Sequence, residues 1–259
     1  MITIDVSPIA FWGVRWYGIM VALAVLVVVF WMVWEVRRGA KLSYDTILTA
    51  ALVGIPSGVI ISRLLHVIDR WGYYSQYPGQ IIGGSGLTIY GAVLGAALGI
   101  WICSRFSHFK FGYFGDLVAP AAVLAQAVGR VGCTLNGCCY GRETSLPWGI
   151  VYTDPQSYAP LGIAVHPTQL YEIIYLLIVF AVLLKLRGRF KPDGSLFLIY
   201  LSLYSLWRVG IDFIREGTPF LLGLHQAQVI GIIVLAIAVP ILALRTRWVG
   251  RKLSRRRKV

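Results

Sequence analysis

At 259 residues, 58% hydrophobic and only 14% charged, with a mean hydropathy of +0.72, the chain lacks the polar surface of an ordinary soluble domain. Continuous apolar runs recur along its length. They exclude the short alternating strands of a membrane barrel and point to helices, since a hydrocarbon layer about 30 Å thick needs roughly 20 helical residues.

Seven spans are expected, at about Tyr17–Trp34, Ile47–Val67, Leu87–Ser104, Leu117–Gly132, Thr168–Leu186, Leu196–Phe213 and Gln226–Leu244. The first is not read as a cleaved leader, because no basic leader or small-residue cleavage site accompanies it and Glu35-Val-Arg-Arg38 follows like a stop-transfer flank. No soluble domain or low-complexity linker separates the spans. The expectation is therefore an all-α polytopic membrane protein, a single domain over 1–259, with an external loop at about 132–166 and a basic tail at about 245–259.

Charge sets the orientation. Seventeen of the 24 Lys and Arg residues fall in alternate connections: Arg37, Arg38 and Lys41, then Arg105 and Lys110, then Lys185 to Lys191, then the tail from Arg245 to Lys258. The positive-inside rule makes that side cytoplasmic and places the N-terminus outside and the C-terminus inside. Most of the net charge of +13 is thus topology. The tail suits an anionic lipid surface better than nucleic acid, since it adjoins a span.

The other seven, Arg15, Arg63, Arg70, Arg130, Arg142, Arg208 and Arg215, fall on the outer side or in the outer half of a span. A charge at a helix centre costs roughly 2.5–3.5 kcal/mol on the insertion scale, so such residues face an interior cavity or pair with one another. Spacings of four and three set Arg208, Asp212 and Arg215 along one helix face. A structural ion pair is the alternative to a functional cluster.

In the third span, Gly95 and Gly99 continue a Gly-x-x-x-Gly ridge from Gly91 and read as close helix packing. Tyr90, just before them, reads either as an interfacial anchor or as a functional hydroxyl. Where the fourth span runs out, Gly129-Arg-Val-Gly-Cys-Thr-Leu-Asn-Gly-Cys-Cys-Tyr-Gly141 crowds an arginine, an asparagine, three cysteines and four glycines into thirteen residues. It reads as a polar re-entry at the edge of a membrane helix, with a guanidinium fork suited to phosphate. The longest connection ends in His166-Pro-Thr-Gln-Leu-Tyr-Glu172, with proline placed for a helix start. His166 has a plain reading as a cap, whereas Gln169 and Glu172 share the face that continues into the span. Arginines, acids and amides inside an apolar bundle suit a molecule with a phosphate head and acyl tails.

Five motifs then occur in order: Trp16-Tyr17-Gly18, Gly86-Leu-Thr-Ile-Tyr-Gly91, Gly129-Arg130-Val-Gly-x-x-x-Asn136-Gly, His166-Pro-Thr-Gln-Leu-Tyr-Glu172 and Arg208-x-x-x-Asp212-x-x-Arg215. Together they span most of the chain and resemble the bacterial prolipoprotein diacylglyceryl transferases. The resemblance implies a seven-span enzyme of the bacterial plasma membrane, with its site open to the outer leaflet. Such an enzyme moves diacylglyceryl from phosphatidylglycerol to the lipobox cysteine thiol of a prolipoprotein, giving a thioether and glycerol phosphate. It implies Arg130 and Arg208 on the phosphate, Tyr90 or His166 taking the thiol proton, and Tyr17, Asn136, Gln169, Glu172, Asp212 and Arg215 around the headgroup. It implies no metal, no organic cofactor and no nucleic-acid partner.

Three positions depart from the family pattern. Tyr90 stands where a histidine is usual, Gly132-Cys133-Thr134 replaces Gly-Asn-Phe, and Cys138 replaces an acid. These departures also fit a related phosphatidylglycerol-dependent transferase with another acceptor; a lipid-binding or transport protein is the third reading, though no internal repeat supports it. For Cys133, Cys138 and Cys139 the expectation is a structural disulfide between Cys133 and one of the other two, holding the glycine-rich turn. A covalent relay that briefly carries the lipid is chemically poor, because a thioether on the enzyme is hard to reverse, and a metal site ranks lowest, for want of an evident fourth ligand at zinc spacing.

Overall fold

Among the described residues, the body of each expected span falls on a helix; Leu87, the expected start of the third, lies outside them. The computed structural model describes residues 1–83, 88–107, 109–217 and 220–249. The helices are α1 (Trp16–Arg37), α2 (Tyr44–Asp69), the short α3 (Trp71–Tyr74) and α4 (Gln80–Gly83), α5 (Ile89–Phe106), α6 (Phe111–Asn136), α7 (Thr168–Leu186), α8 (Ser195–Ile211) and α9 (Gln226–Arg245). Among the described residues, α1, α2, α6, α7 and α9 are long and apolar enough to cross a membrane, while Gly91–Phe106 and Ser195–Ile211 are shorter apolar helices. The protein is a mostly helical, multi-pass membrane protein. Ile174, Leu177 and Ile178 on α7, and Leu23, Leu26 and Phe30 on α1, stay exposed. A lipid-facing helix carries such a surface because there is no water to hide it from.

The chain divides into two units, one of Met1–Trp31 with Gly115–Val259 and one of Met32–Phe114. In the second, α2 begins at Ser43, whose side chain accepts from the Thr46 N–H at 3.1 Å. It packs along α5 through glycines: a Cβ on Gly58 would meet the Ala92 carbonyl at 2.9 Å, and one on Gly95 would overlap the Ser57 carbonyl. The Gly-x-x-x-Gly ridge is therefore a packing device. Arg63 donates to the carbonyls of Ile81 and Gln80 and stacks over Tyr74, an internal use for one of the arginines outside the basic connections.

In the first unit α6 is the enclosed helix, with half of its apolar stretch buried against 11% for α1. Its small residues Ala119, Val123 and Ala127 let α7 and α8 approach, and Leu176, Val179, Leu183, Leu196 and Tyr200 complete that core. Asp116 on α6 accepts from the N–H groups of Gly194 (2.8 Å) and Phe197 (3.0 Å), a carboxylate on the otherwise orphaned donors at the start of α8.

Short strands are β1 (Ile2–Ile4), β2 (Ile9–Phe11), β3 (Val14–Arg15), β4 (Ile150–Tyr152), β5 (Ala164–Val165), β6 (Phe190–Lys191) and β7 (Arg247–Trp248). β1 runs parallel to β4 with Ile2 opposite Ile150, and β4 pairs antiparallel with β5. The long connection is thus a small built sheet over its own core of Ile150, Tyr152, Ala159 and Val165. Antiparallel pairs join β2 to β3 and β6 to β7.

Two boundaries differ from expectation. α6 continues one turn past Gly132 to Asn136, so Cys133 lies in the helix and the loop begins at Gly137. α8 stops at Ile211, with Asp212 as its C-cap, so Arg215 is not on the helix. The apolar runs ended where a polar site begins, and hydropathy alone does not separate helix end from site.

Candidate active site

Arg130 lies near the end of α6, Glu172 one turn into α7, and Arg208 in the last turn of α8. What joins these three ends is the turn 137–142. Gly137 at φ 67° and Cys139 at φ 66° reverse the chain in the left-handed region. For a non-glycine residue that conformation costs about 1–2 kcal/mol, offset at Cys139 by the Thr168 hydroxyl donating to its carbonyl at 2.6 Å. The Gln169 amide donates to the Cys138 carbonyl at 2.8 Å. The Gly141 N–H donates to the His166 carbonyl at 2.9 Å, and the Arg142 N–H to the Ile214 carbonyl at 2.9 Å. Gly141 also bridges Arg215. The turn is sewn to the start of α7 on one side and to the segment after α8 on the other.

The result is a linear chain of alternating charge. Arg130 Nη2 is 2.9 Å from Glu172 Oε1, whose partner oxygen Oε2 is 3.9 Å from Arg208 Nη1. Arg208 Nη2 is 3.0 Å from Asp212 Oδ1, and Arg215 Nη1 is 3.5 Å from the same oxygen. The carboxylates are 3% and 4% exposed and the guanidiniums 11–17%. The acids thus form the backing and the arginines the accessible edge. With both acids ionised, three guanidiniums against two carboxylates leave one surplus positive charge. Arg208 Nη1 and Arg215 Nε make no hydrogen bond among the described residues. Buried donors of this kind are costly unless a ligand completes them. The arrangement can hold an anion with one or two negative charges.

Of the other expected residues, Asn136 is buried, and its Oδ1 accepts from Arg15 Nη1 at 3.0 Å; that arginine stacks over Tyr158. Gln169 is engaged by the turn backbone through its amide nitrogen. Tyr17, in the first turn of α1, stands within electrostatic range of Arg130 and the three thiols, where Gly132 passes Tyr17 Cα and Met20. His166 lies outside the ion chain; its Nδ1 is 3.3 Å from the Tyr171 hydroxyl, which also accepts from Trp148 Nε1 at 2.8 Å. Tyr90 falls in the first turn of α5, in the other unit, and its side chain lies outside the described residues.

The expected disulfide is not formed: Cys133, Cys138 and Cys139 are free thiols. Their sulfurs lie within 4.8 Å of one another. The closeness of the Cys133 and Cys138 thiols, with Arg130 and Arg215 acting in the same direction, draws the Cys139 thiol below its ordinary range. What holds the turn is the set of carbonyl contacts from Thr168 and Gln169.

One neighbour of the ion chain was missed from sequence. The Tyr204 hydroxyl stands beside Arg130, in the fields of Glu172 and Arg208. Its signal was available, since Tyr204 precedes Arg208 by one helical turn and so shares its face.

The sequence profile described as prolipoprotein diacylglyceryl transferase matches residues 6–244. The phosphatidylglycerol–prolipoprotein diacylglyceryl transferase of Dehalococcoides mccartyi is 54% identical over 251 residues, covering 95% of this chain and 96% of that protein. The enzyme so named from Clostridioides difficile is 36% identical, covering 85% and 86%. That from Trichormus variabilis is 34% identical, covering 89% and 84%. With a profile over nearly its whole length and relatives of matching extent, the chain belongs to the prolipoprotein diacylglyceryl transferase family.

Proposed function

We propose that the protein transfers the diacylglyceryl group of phosphatidylglycerol to prolipoproteins, the first step of lipoprotein maturation, with the arginine edge as its phosphate site. The observation that carries the site assignment is the buried ion chain with its surplus positive charge. Phosphatidylglycerol brings one negative charge on its phosphodiester.

The incoming lipobox thiolate attacks the diacylglyceryl carbon next to the phosphate ester oxygen. The sulfur–carbon bond forms as the carbon–oxygen bond breaks, and the electron pair leaves with glycerol phosphate. The leaving phosphate gains a negative charge in that step. Arg130 and Arg208, held in place beforehand by Glu172 and Asp212, stabilise it as it develops. Arg215 adds to the same field, and Asn136 and Tyr17 face the headgroup. Gln169 acts by fixing the turn. The thiol proton goes to His166, the imidazole just before the start of α7. Tyr171 orients its imidazole.

The chain crosses the plasma membrane seven times in this reading, α5 and α8 included, with the N-terminus outside and the C-terminus in the cytoplasm. The site then opens to the outer leaflet, where lipid and prolipoprotein meet. The one-sided distribution of lysine and arginine supports that orientation.

Arg208→Lys tests the phosphate assignment. Lysine keeps the charge and loses the fork, so transfer at matched membrane abundance is expected to fall by about 100-fold, the scale of losing one positioned donor. His166→Asn in the same assay is expected to lose rate at unchanged lipid KM. Full activity in the lysine variant reduces Arg208 to a structural ion, and an unchanged rate for the asparagine variant removes His166 as the base.

A further inference from the structure

The free thiols at the end of α6 are unused by the transfer reaction, and their placement is specific. Cys133 lies in the last turn of the helix, and the Cys138 N–H donates back to its carbonyl at 3.1 Å. The left-handed residues Gly137 and Cys139 then fold the chain so that all three Sγ atoms converge within 4.8 Å. The backbone that carries them is fixed from outside, at the Cys138 carbonyl by Gln169 and at the Cys139 carbonyl by Thr168.

We propose that Cys133, Cys138 and Cys139 form a three-thiolate site for a soft d10 metal ion, Cu(I) or Zn(II). A metal–sulfur bond of about 2.3 Å places three ligands in a trigonal plane about 4 Å apart, so side-chain rotations of less than about an ångström close this cluster on an ion. An all-sulfur donor set selects soft ions over magnesium or calcium. A disulfide uses two sulfurs and leaves the third idle, whereas a trigonal ion uses all three. The sequence ranked a metal lowest for lack of a fourth ligand; three-coordinate Cu(I) needs none, and Zn(II) takes a water in that position.

Three thiols binding one ion release three protons to solvent and leave a complex of charge −1 with Zn(II) or −2 with Cu(I). Arg130 stands beside it, its Nη1 3.8 Å from Cys133 Sγ. Cys133 is buried while Cys138 and Cys139 are half-buried, so an ion enters from the turn side. Once bound, it pins the turn that carries the contacts to α7, independently of which lipid the arginines hold.

The test uses the full chain, purified in detergent under argon with a phosphine reductant. Cu(I) is supplied from bicinchoninate and Zn(II) against a chromogenic indicator, in separate arms. One equivalent of ion per chain is expected in at least one arm, with a thiolate-to-metal absorption band and protection of three thiols from alkylation. Serine at Cys133, Cys138 or Cys139 is expected to weaken binding at least about tenfold, while Cys103→Ser leaves it unchanged; matched elution on size exclusion confirms that the variants fold. Failure of both ions to bind the wild-type chain stoichiometrically overturns the proposal. So does binding that persists in the triple serine variant, or three thiols still alkylated at saturating metal.

Discussion

Glu172 shows how much a single buried residue decides. Its carboxylate is 3% exposed and stands between the guanidiniums of Arg130 and Arg208. Removing one partner of a buried ion set costs about 3–5 kcal/mol, because it strands charge that water cannot reach. Glu172→Gln keeps the shape and deletes the charge, so two arginines then face one another across a neutral amide. The thermal midpoint in detergent is expected to drop by roughly 6–20 °C for a chain of this size, with transfer lost in parallel. An unchanged midpoint would mean the carboxylate carries no structural charge. Glu172 was legible from sequence as an intramembrane acid with company. Its particular partners were not, because Arg130 and Arg208 lie 42 and 36 residues away and only the packing of α6, α7 and α8 brings them together. Tyr204 was overlooked for a simpler reason: a tyrosine on an apolar face reads as core until its neighbour is known.

Among elements, the turn 137–142 does most to assemble the site. Gly141 is its tightest point: a Cβ there would meet His166 Cβ and the Ile214 carbonyl at 2.7 Å and Thr168 Cγ2 at 2.8 Å. Two of these belong to the start of α7 and one to the segment after α8, so no single rotation relieves them. Gly141→Ala is expected to detach the turn, reduce transfer at least about tenfold, and expose 137–142 to proteolysis while the helices persist; an effect of that size matches roughly 1–3 kcal/mol of overpacking. Wild-type transfer and wild-type cleavage would show that the turn is not what aligns the arginines. The helices themselves were easy to read, since runs near 20 apolar residues admit few alternatives. Their ends were not. α6 carries its polar residues through Asn136 as helix, and α8 stops before Arg215, because each end is set by tertiary hydrogen bonds to the turn. The disulfide failed as an expectation for the same reason: what the turn needed for anchoring came from Thr168 and Gln169.

At the scale of the whole molecule, the proposed topology makes the +13 net charge mainly an address. Basic residues crowd alternate connections of the sequence, and of the arginines outside them Arg130, Arg208 and Arg215 pair with acids, Arg63 with carbonyls, and Arg15 with Asn136 and the Tyr158 ring. A reporter fused after Val259 is expected to read cytoplasmic and one inserted near Gln156 external; both on one side would refute the seven crossings. The central claim is that this bundle exists to transfer a lipid through its arginine edge. The most direct measurement supplies purified protein with phosphatidylglycerol labelled in both its acyl and glycerol-phosphate parts, together with a lipobox peptide. The expected result is one diacylglyceryl thioether on the peptide cysteine for each glycerol phosphate released, and neither product when that cysteine is serine. Lipid turnover that proceeds equally with the serine peptide, or no thioether at any lipid concentration, would contradict it.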